Sequence, residues 1–214
     1  IPFAGHPVLG TAFVLREVFG LQSSTEVTLN LQGGKITVTF EDPGFQFFTR
    51  QQMEISAELD RADLVESLGL NPEDIDNRYP CCRVSSGLRF LIIPLVSVAA
   101  LQCLDSRQVR CEEPVFLFAP ADENMQEHIR ARMFAPELGM VEDAATGSAS
   151  CALGGYLVEH EYFGSGQVRV LSGQGFEMGR PSHIHVNASK KEKHFHVEVG
   201  GKVRLIAQGD WLIN

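Results

Sequence analysis

The chain has 214 residues, 44% of them hydrophobic, with 18 Lys and Arg against 27 Asp and Glu and a formal net charge of −9. A chain of this length buries roughly 70% of its unfolded surface, enough for one large domain or two lobes without disulfides, and the acidic balance argues against a nucleic-acid partner. The five cysteines show no Cys-x-x-Cys spacing, and the longest apolar run, residues 90–96, holds Pro94 and is too short to span a bilayer, which together predict a soluble, cytoplasmic protein with neither a disulfide framework nor a zinc ribbon.

Taken in order, Pro7 occupies a first-turn position where its missing N–H costs nothing, and the helix it opens is expected to end near Phe19 and Gly20. Residues 26–31 alternate, Gly33-Gly34 turns, and residues 35–41 alternate again through Ile36, Val38 and Phe40, predicting a β-hairpin. Asp60 caps a short helix that Gly69 stops. Residues 83–86 and 88–95 form a strand pair whose second member is apolar enough to be buried on both faces, and 96–104 is a candidate helix. Composition turns polar around Ser106 to Glu113, which divides the chain into lobes of residues 1–112 and 113–214. In the second lobe, strands are expected at 115–119 and 129–134, then a central helix, then strands at 168–171, 182–187, 194–199, 203–207 and 210–213, the last able to return to the first lobe. The whole reads as α+β.

The central helix follows an unusual loop, Glu142-Asp143-Ala144-Ala145-Thr146-Gly147-Ser148-Ala149. Asp or Thr before a helix is often only an N-cap. A second copy of the pattern stands at the start of the chain, where Gly5 and His6 align with Gly147 and Ser148, and Gly10 with Ala152. Two pseudo-symmetric lobes, each presenting one helix N-terminus to a shared cleft, can hold a carboxylate between two positive ends. The second lobe places two strands before its helix, whereas only Ile1 to Ala4 precede the first, so repeat logic leads one to expect a further segment upstream.

Ala4-Gly5-His6-Pro7, residues 142–149 and Gln174-Gly175-Phe176-Glu177-Met178-Gly179-Arg180-Pro181-Ser182 resemble, in order, the motifs of the PhzF-type phenazine-biosynthesis-like isomerases of the diaminopimelate-epimerase fold. The resemblance covers essentially the whole chain. It implies two lobes, each a mostly antiparallel sheet wrapped around a central helix, a homodimer, no cofactor, and proton transfer at carbon of a small carboxylate substrate; the residues themselves lead one to expect no metal site. His6, Asp143 and Ser148 match the family's catalytic positions, and Gly5 and Gly147 match the backbone that cradles the substrate. Such chemistry needs a positioned base, an acid, and donors where negative charge develops.

Two departures accompany the resemblance. The family's acid/base glutamate lies upstream of Ala-Gly-His-Pro, so no residue here inherits it, and a non-catalytic binding protein is the alternative reading. Ala144 stands where the family more often has proline. Related epimerases carry thiols at the helix starts; His6 and Ser148 hold those places here. Elsewhere the plainer readings are preferred. Cys151 is expected to be a buried small hydrophobe, residues 180–182 a turn, and Asp122, Glu123 and Glu127 a solvated surface. His183-x-His185 and His194-x-His196 can meet in a hairpin, but Ile184, Val186, Phe195 and Val197 between them make the histidines the outer side of an amphipathic pair.

Overall fold

Alternation in residues 26–41 becomes an antiparallel pair, β1 (Glu26–Leu31) and β2 (Gly34–Glu41), in register Glu26 to Thr39 through Leu31 to Gly34. The structure is a computed structural model that describes residues 5–32, 34–41 and 44–210. Ile1 to Ala4, Gly33 of the expected turn, and residues 211–213 of the expected last strand lie outside the described residues. A strand unforeseen in the sequence, β3 (Phe45–Arg50), continues the sheet beside β2. Its Gln46, Phe47 and Phe48 are all buried, so it carries no alternation to read.

The remaining elements follow as β4 (Glu54–Ile55), α2 (Arg61–Leu68), β5 (Cys82–Ser85), β6 (Arg89–Pro94), α3 (Val98–Cys103), β7 (Val115–Pro120), β8 (Ile129–Ala135), β9 (Met140–Asp143), α4 (Gly147–Glu159), β10 (Gln167–Gln174), β11 (Ser182–Lys191) and β12 (His194–Lys202), with α1 (Gly5–Glu17) ahead of them. The α2 ends form as the sequence predicts: the Asp60 side chain accepts from the Ala62 N–H, and Gly69 closes the helix at φ +65°. Ser97 caps α3 in the same manner.

The described strands form one sheet in the order β1-β2-β3-β12-β11-β10-β8-β7-β6-β5-β4, with β9 beside β8. Only β6 with β7 and β8 with β10 are parallel. The pairing of β6 with β7 carries the sheet across residue 112, and β12 joins it to β3. Residues 203–207, expected as a strand, carry no regular structure; beyond Lys202 the ladder retains, among the described residues, only the Val203 N–H to Gly44 carbonyl bond, and Leu205 and Ile206 are exposed.

Two cores lie on opposite faces of this sheet, so its central strands are apolar on both sides. Phe90 and Ile92 of β6 and Phe116 and Phe118 of β7 face the first core, around α4; Leu91, Ile93, Val115 and Leu117 face the second, under α2 and α3. Helix α4 is apolar all round, as a central helix must be, and the sheet wraps it closely: Ser148 through Val158 are all buried. Helix α1 lies on β1, β2 and β3 and buries one stripe, Gly5, Val8 and Ala12. Cys151 is wholly buried in the first core, and burial pushes its thiol up to about 12.

Candidate active site at two helix starts

The loop into α4 is shaped by hydrogen bonds that its own residues cannot supply. Thr146 precedes the helix, but its side chain caps nothing there. Its hydroxyl instead donates to Asp143 Oδ2 at 2.6 Å, and it accepts from Gln174 Nε2 at 3.0 Å. The fully buried Gln174 also donates to the Asp143 carbonyl at 2.7 Å, and its Oε1 accepts from the Thr146 N–H at 3.1 Å. The last bond fixes which way the amide faces. A polarised chain therefore runs from Gln174 through Thr146 to Asp143, and Asp143 Oδ1 keeps no bond among the described residues. The N–H groups of the first α4 turn are left without a side-chain cap, which is the condition under which a helix start can receive an anion.

The α1 start meets it directly. A Cβ added to Gly5 would lie 3.2 Å from Gly147 Cα and 3.0 Å from the Phe48 ring, so the two backbones touch because neither residue has a side chain. His6 is exposed next to this contact, whereas Gly5 is buried in it. Ser148 is 6% exposed, with no hydrogen bond from its side chain among the described residues. A cleft of about 340 Å³ opens at the junction, lined by His6, Phe48, Ala145, Gly147, His183 and Lys202 among others. Asp143 and Ser148 do not line it; they stand on either side of Gly147, which does. A larger depression of about 640 Å³ lies elsewhere, but its Arg83 and Glu113 are consumed in an ion pair at 2.7 Å.

The surroundings divide the acidic residues by task. Glu142 pairs bidentately with Arg132, both contacts 2.8 Å, and Arg132 also donates to the Leu101 and Leu104 carbonyls at the end of α3. Glu142 thereby pins the loop to the second core. The turn after β10 holds the loop from the other side: Gly175, at φ +80°, approaches so closely that a Cβ would lie 2.8 Å from the Ala144 carbonyl oxygen. Arg130 stacks 3.4 Å above the Phe176 ring and reaches Glu177 at 3.3 Å.

Glu127 departs from the solvated surface expected of it. It is 9% exposed, and its Oε1 lies 2.7 Å from His183 Nε2. The other histidines behave as an amphipathic hairpin dictates. In the β11–β12 register His185 faces Gly200, His196 faces Ser189 and His194 faces Lys191, so the four imidazoles do not converge. No group of three or more His, Cys, Asp or Glu able to hold a metal occurs among the described residues. Sequence reasoning brought together Gly5, His6, Asp143, Gly147 and Ser148, and missed Thr146, Gln174 and Glu127 as partners. The only signal for Gln174 was its place at the head of the third motif.

An α+β sheet wrapped around helices whose N-termini meet at one cleft is the fold of the solved PhzF-family structures. The chain belongs to the phenazine biosynthesis-like protein family (PhzC-PhzF), which it matches over residues 1–209. It is 34% identical to the trans-2,3-dihydro-3-hydroxyanthranilate isomerase of Pseudomonas aeruginosa, across 98% of this chain and 74% of that protein. An uncharacterized isomerase of Pasteurella multocida is 28% identical across 100% of the chain and 71% of its own length. Among solved structures, a PhzF-family protein from Bacillus anthracis superposes with a TM-score of 0.76 at 21% identity, covering 94% of this chain and 73% of that one. The structure of a predicted epimerase from Pseudomonas aeruginosa gives 0.74 at 27% identity, covering 100% and 76%. The chain is thus an enzyme of an isomerase family, and among the described residues no helix is long and apolar enough to cross a membrane.

Proposed function

We propose that the protein is a PhzF-type isomerase that, without a cofactor, moves a proton between carbons of a small carboxylate substrate in the cleft where α1 and α4 begin. The observation that carries this reading is the meeting of two helix starts, with the first turn of α4 uncapped and Asp143 held beside it by Thr146. A proton leaving carbon leaves its electron pair behind; delocalised onto an oxygen, that charge is stabilised by backbone N–H groups at the helix starts and by the Ser148 hydroxyl. Asp143 exchanges the proton with the substrate, His6 positions the substrate at the rim, and Gly5 and Gly147 admit it to the backbone. The named activity of the Pseudomonas aeruginosa relative suggests a dihydro-hydroxyanthranilate or a close analogue. The family resemblance adds a homodimer in the cytoplasm, which sedimentation of the purified protein and fractionation of cells test.

The second reading is a binding protein that keeps the cleft without turnover, favoured by a cleft lining that holds no Asp or Glu among the described residues. Deuterium exchange at carbon separates the two. Incubated with trans-2,3-dihydro-3-hydroxyanthranilate in D₂O, the enzyme is expected to exchange a carbon-bound proton, and Asp143→Asn to slow this by a factor of about 10² or more. Unchanged exchange in the variant removes Asp143 from the mechanism. Binding with no exchange favours the second reading.

A further inference from the structure

Glu127 and His183 form a pair that the roles above leave unused. Glu127 precedes β8, where side-chain burial is unexpected for a carboxylate unless it is partnered. The fold makes room for it: a Cβ on Gly173 of β10 would lie 2.8 Å from Glu127 Cγ and 2.9 Å from the Phe176 ring. The Glu127 carboxylate reaches His183 Nε2 at 2.7 Å, and the Phe176 ring stands 6.0 Å from the imidazole on another side. A carboxylate accepts only, so Nε2 carries the proton and the ring orientation is fixed. Nδ1 is then the nitrogen left over, with no bond among the described residues, on a side chain that is 43% exposed.

His183 lines the same cleft as His6 and Gly147. Among the described residues the cleft lining also includes Lys202 and Arg204 but no Asp or Glu, in a chain whose net charge is −9. Lys202 rests its ammonium 5.1 Å from the Phe45 ring, so it contributes field at the rim rather than a fixed donor. The basic lining and the one oriented imidazole lie on the strand side, facing the helix starts.

We propose that His183, held by Glu127, is a substrate-binding residue: its protonated ring donates from Nδ1 to the standing carboxylate of the substrate, with Lys202 and Arg204 supplying the surrounding positive field. Glu127 is its positioning residue. This rests on the proposed use of the cleft, and it adds a strand-side donor to the positive helix starts that open on the same cleft.

Calorimetric titration with anthranilate and with its uncharged amide, anthranilamide, tests the assignment on the full chain. Loss of a charged hydrogen bond is worth about a tenfold to hundredfold drop in affinity. His183→Gln is expected to weaken anthranilate to that extent and to leave anthranilamide unchanged. Glu127→Gln keeps an acceptor for Nε2 but removes the charge that favours the imidazolium, and is expected to weaken anthranilate alone and by less. The wild-type preference for anthranilate should shrink with added salt. His6→Ala, which tests the cleft itself, should weaken both ligands. If His183→Gln binds anthranilate as the wild type does, or loses both ligands equally, the inference is overturned while a His6→Ala effect keeps the cleft reading standing. Wild-type affinity in all three variants, or no binding of either ligand to the wild type, overturns both.

Discussion

Gln174 shows how one side chain can set the geometry of a distant loop. Its amide satisfies the Thr146 N–H, the Thr146 hydroxyl and the Asp143 carbonyl at once, from 28 residues away along the chain. In Gln174→Leu those buried groups lose their partner, and an unsatisfied buried polar group costs about 1 to 3 kcal/mol. The variant is therefore expected to lose about 2 to 4 kcal/mol of stability in urea unfolding. Deuterium exchange at carbon should fall at least tenfold, because Thr146 no longer holds Asp143 in place. Native stability and unchanged exchange together would show that the loop holds its shape without Gln174.

At the scale of elements, the two helices that meet at the cleft are packed differently, and their glycines report it. Gly154 of α4 sits where a Cβ would come within 2.7 Å of Val197 and 2.9 Å of Val186, with Ala188 at 3.4 Å. Those valines are stiff at χ1 and buried between helix and sheet. Gly10 of α1 would meet nothing within 4 Å. Alanine is favoured over glycine in a helix by about 1 kcal/mol, so the same substitution should have opposite signs at the two sites. Gly10→Ala is expected to stabilise by about 0.5 to 1 kcal/mol, whereas Gly154→Ala should destabilise by about 1 to 2 kcal/mol as overpacking outweighs propensity. Thermal unfolding of both variants measures this, and equal shifts would mean that α4 can move off the sheet freely.

For the molecule as a whole, buried carboxylates with more exposed basic partners tie stability to pH. The Arg78 guanidinium beside Asp76 holds that carboxyl below its ordinary 3.8, against the opposing pull of burial. Burial raises Glu127, but its own backbone N–H, the His183 hydrogen bond and the charges of His183 and Arg130 outweigh this and leave it below its ordinary 4.5. Both folded-state values lie under the unfolded ones, so both groups contribute stability that is fully present above the ordinary values and is lost as pH falls through the folded ones. Through Asp76 and Glu127 the melting temperature should therefore decline below about pH 4, and His160 and His185, held by burial below their ordinary 6.5, add a loss that begins as pH falls below that value. Asp76→Asn should melt lower at neutral pH and decline less on acidification. A variant that tracks the wild type in parallel down to pH 3 would remove Asp76 from this linkage.

What the sequence determined by itself is what neighbours in sequence decide. Asp60 and Gly69 bound α2 because a cap acts within one turn, the hairpin of residues 26–41 follows from alternation, and the apolar run of β6 follows from burial on two faces. The similarity of the Gly-His and Gly-Ser starts was legible for the same reason, and it led to the residues around the cleft. Only the tertiary structure decided what partners each polar side chain finds. Glu142 reads as one half of an acidic pair until Arg132 arrives from the adjoining strand; Glu127 reads as surface until the missing Cβ of Gly173 gives it room. β3 escaped because both its faces are covered, one of its neighbours being β12, which comes about 150 residues later in the chain (Val199 pairs with Phe48). A hydrogen bond is satisfied by proximity in space, and a single chain records only proximity along itself.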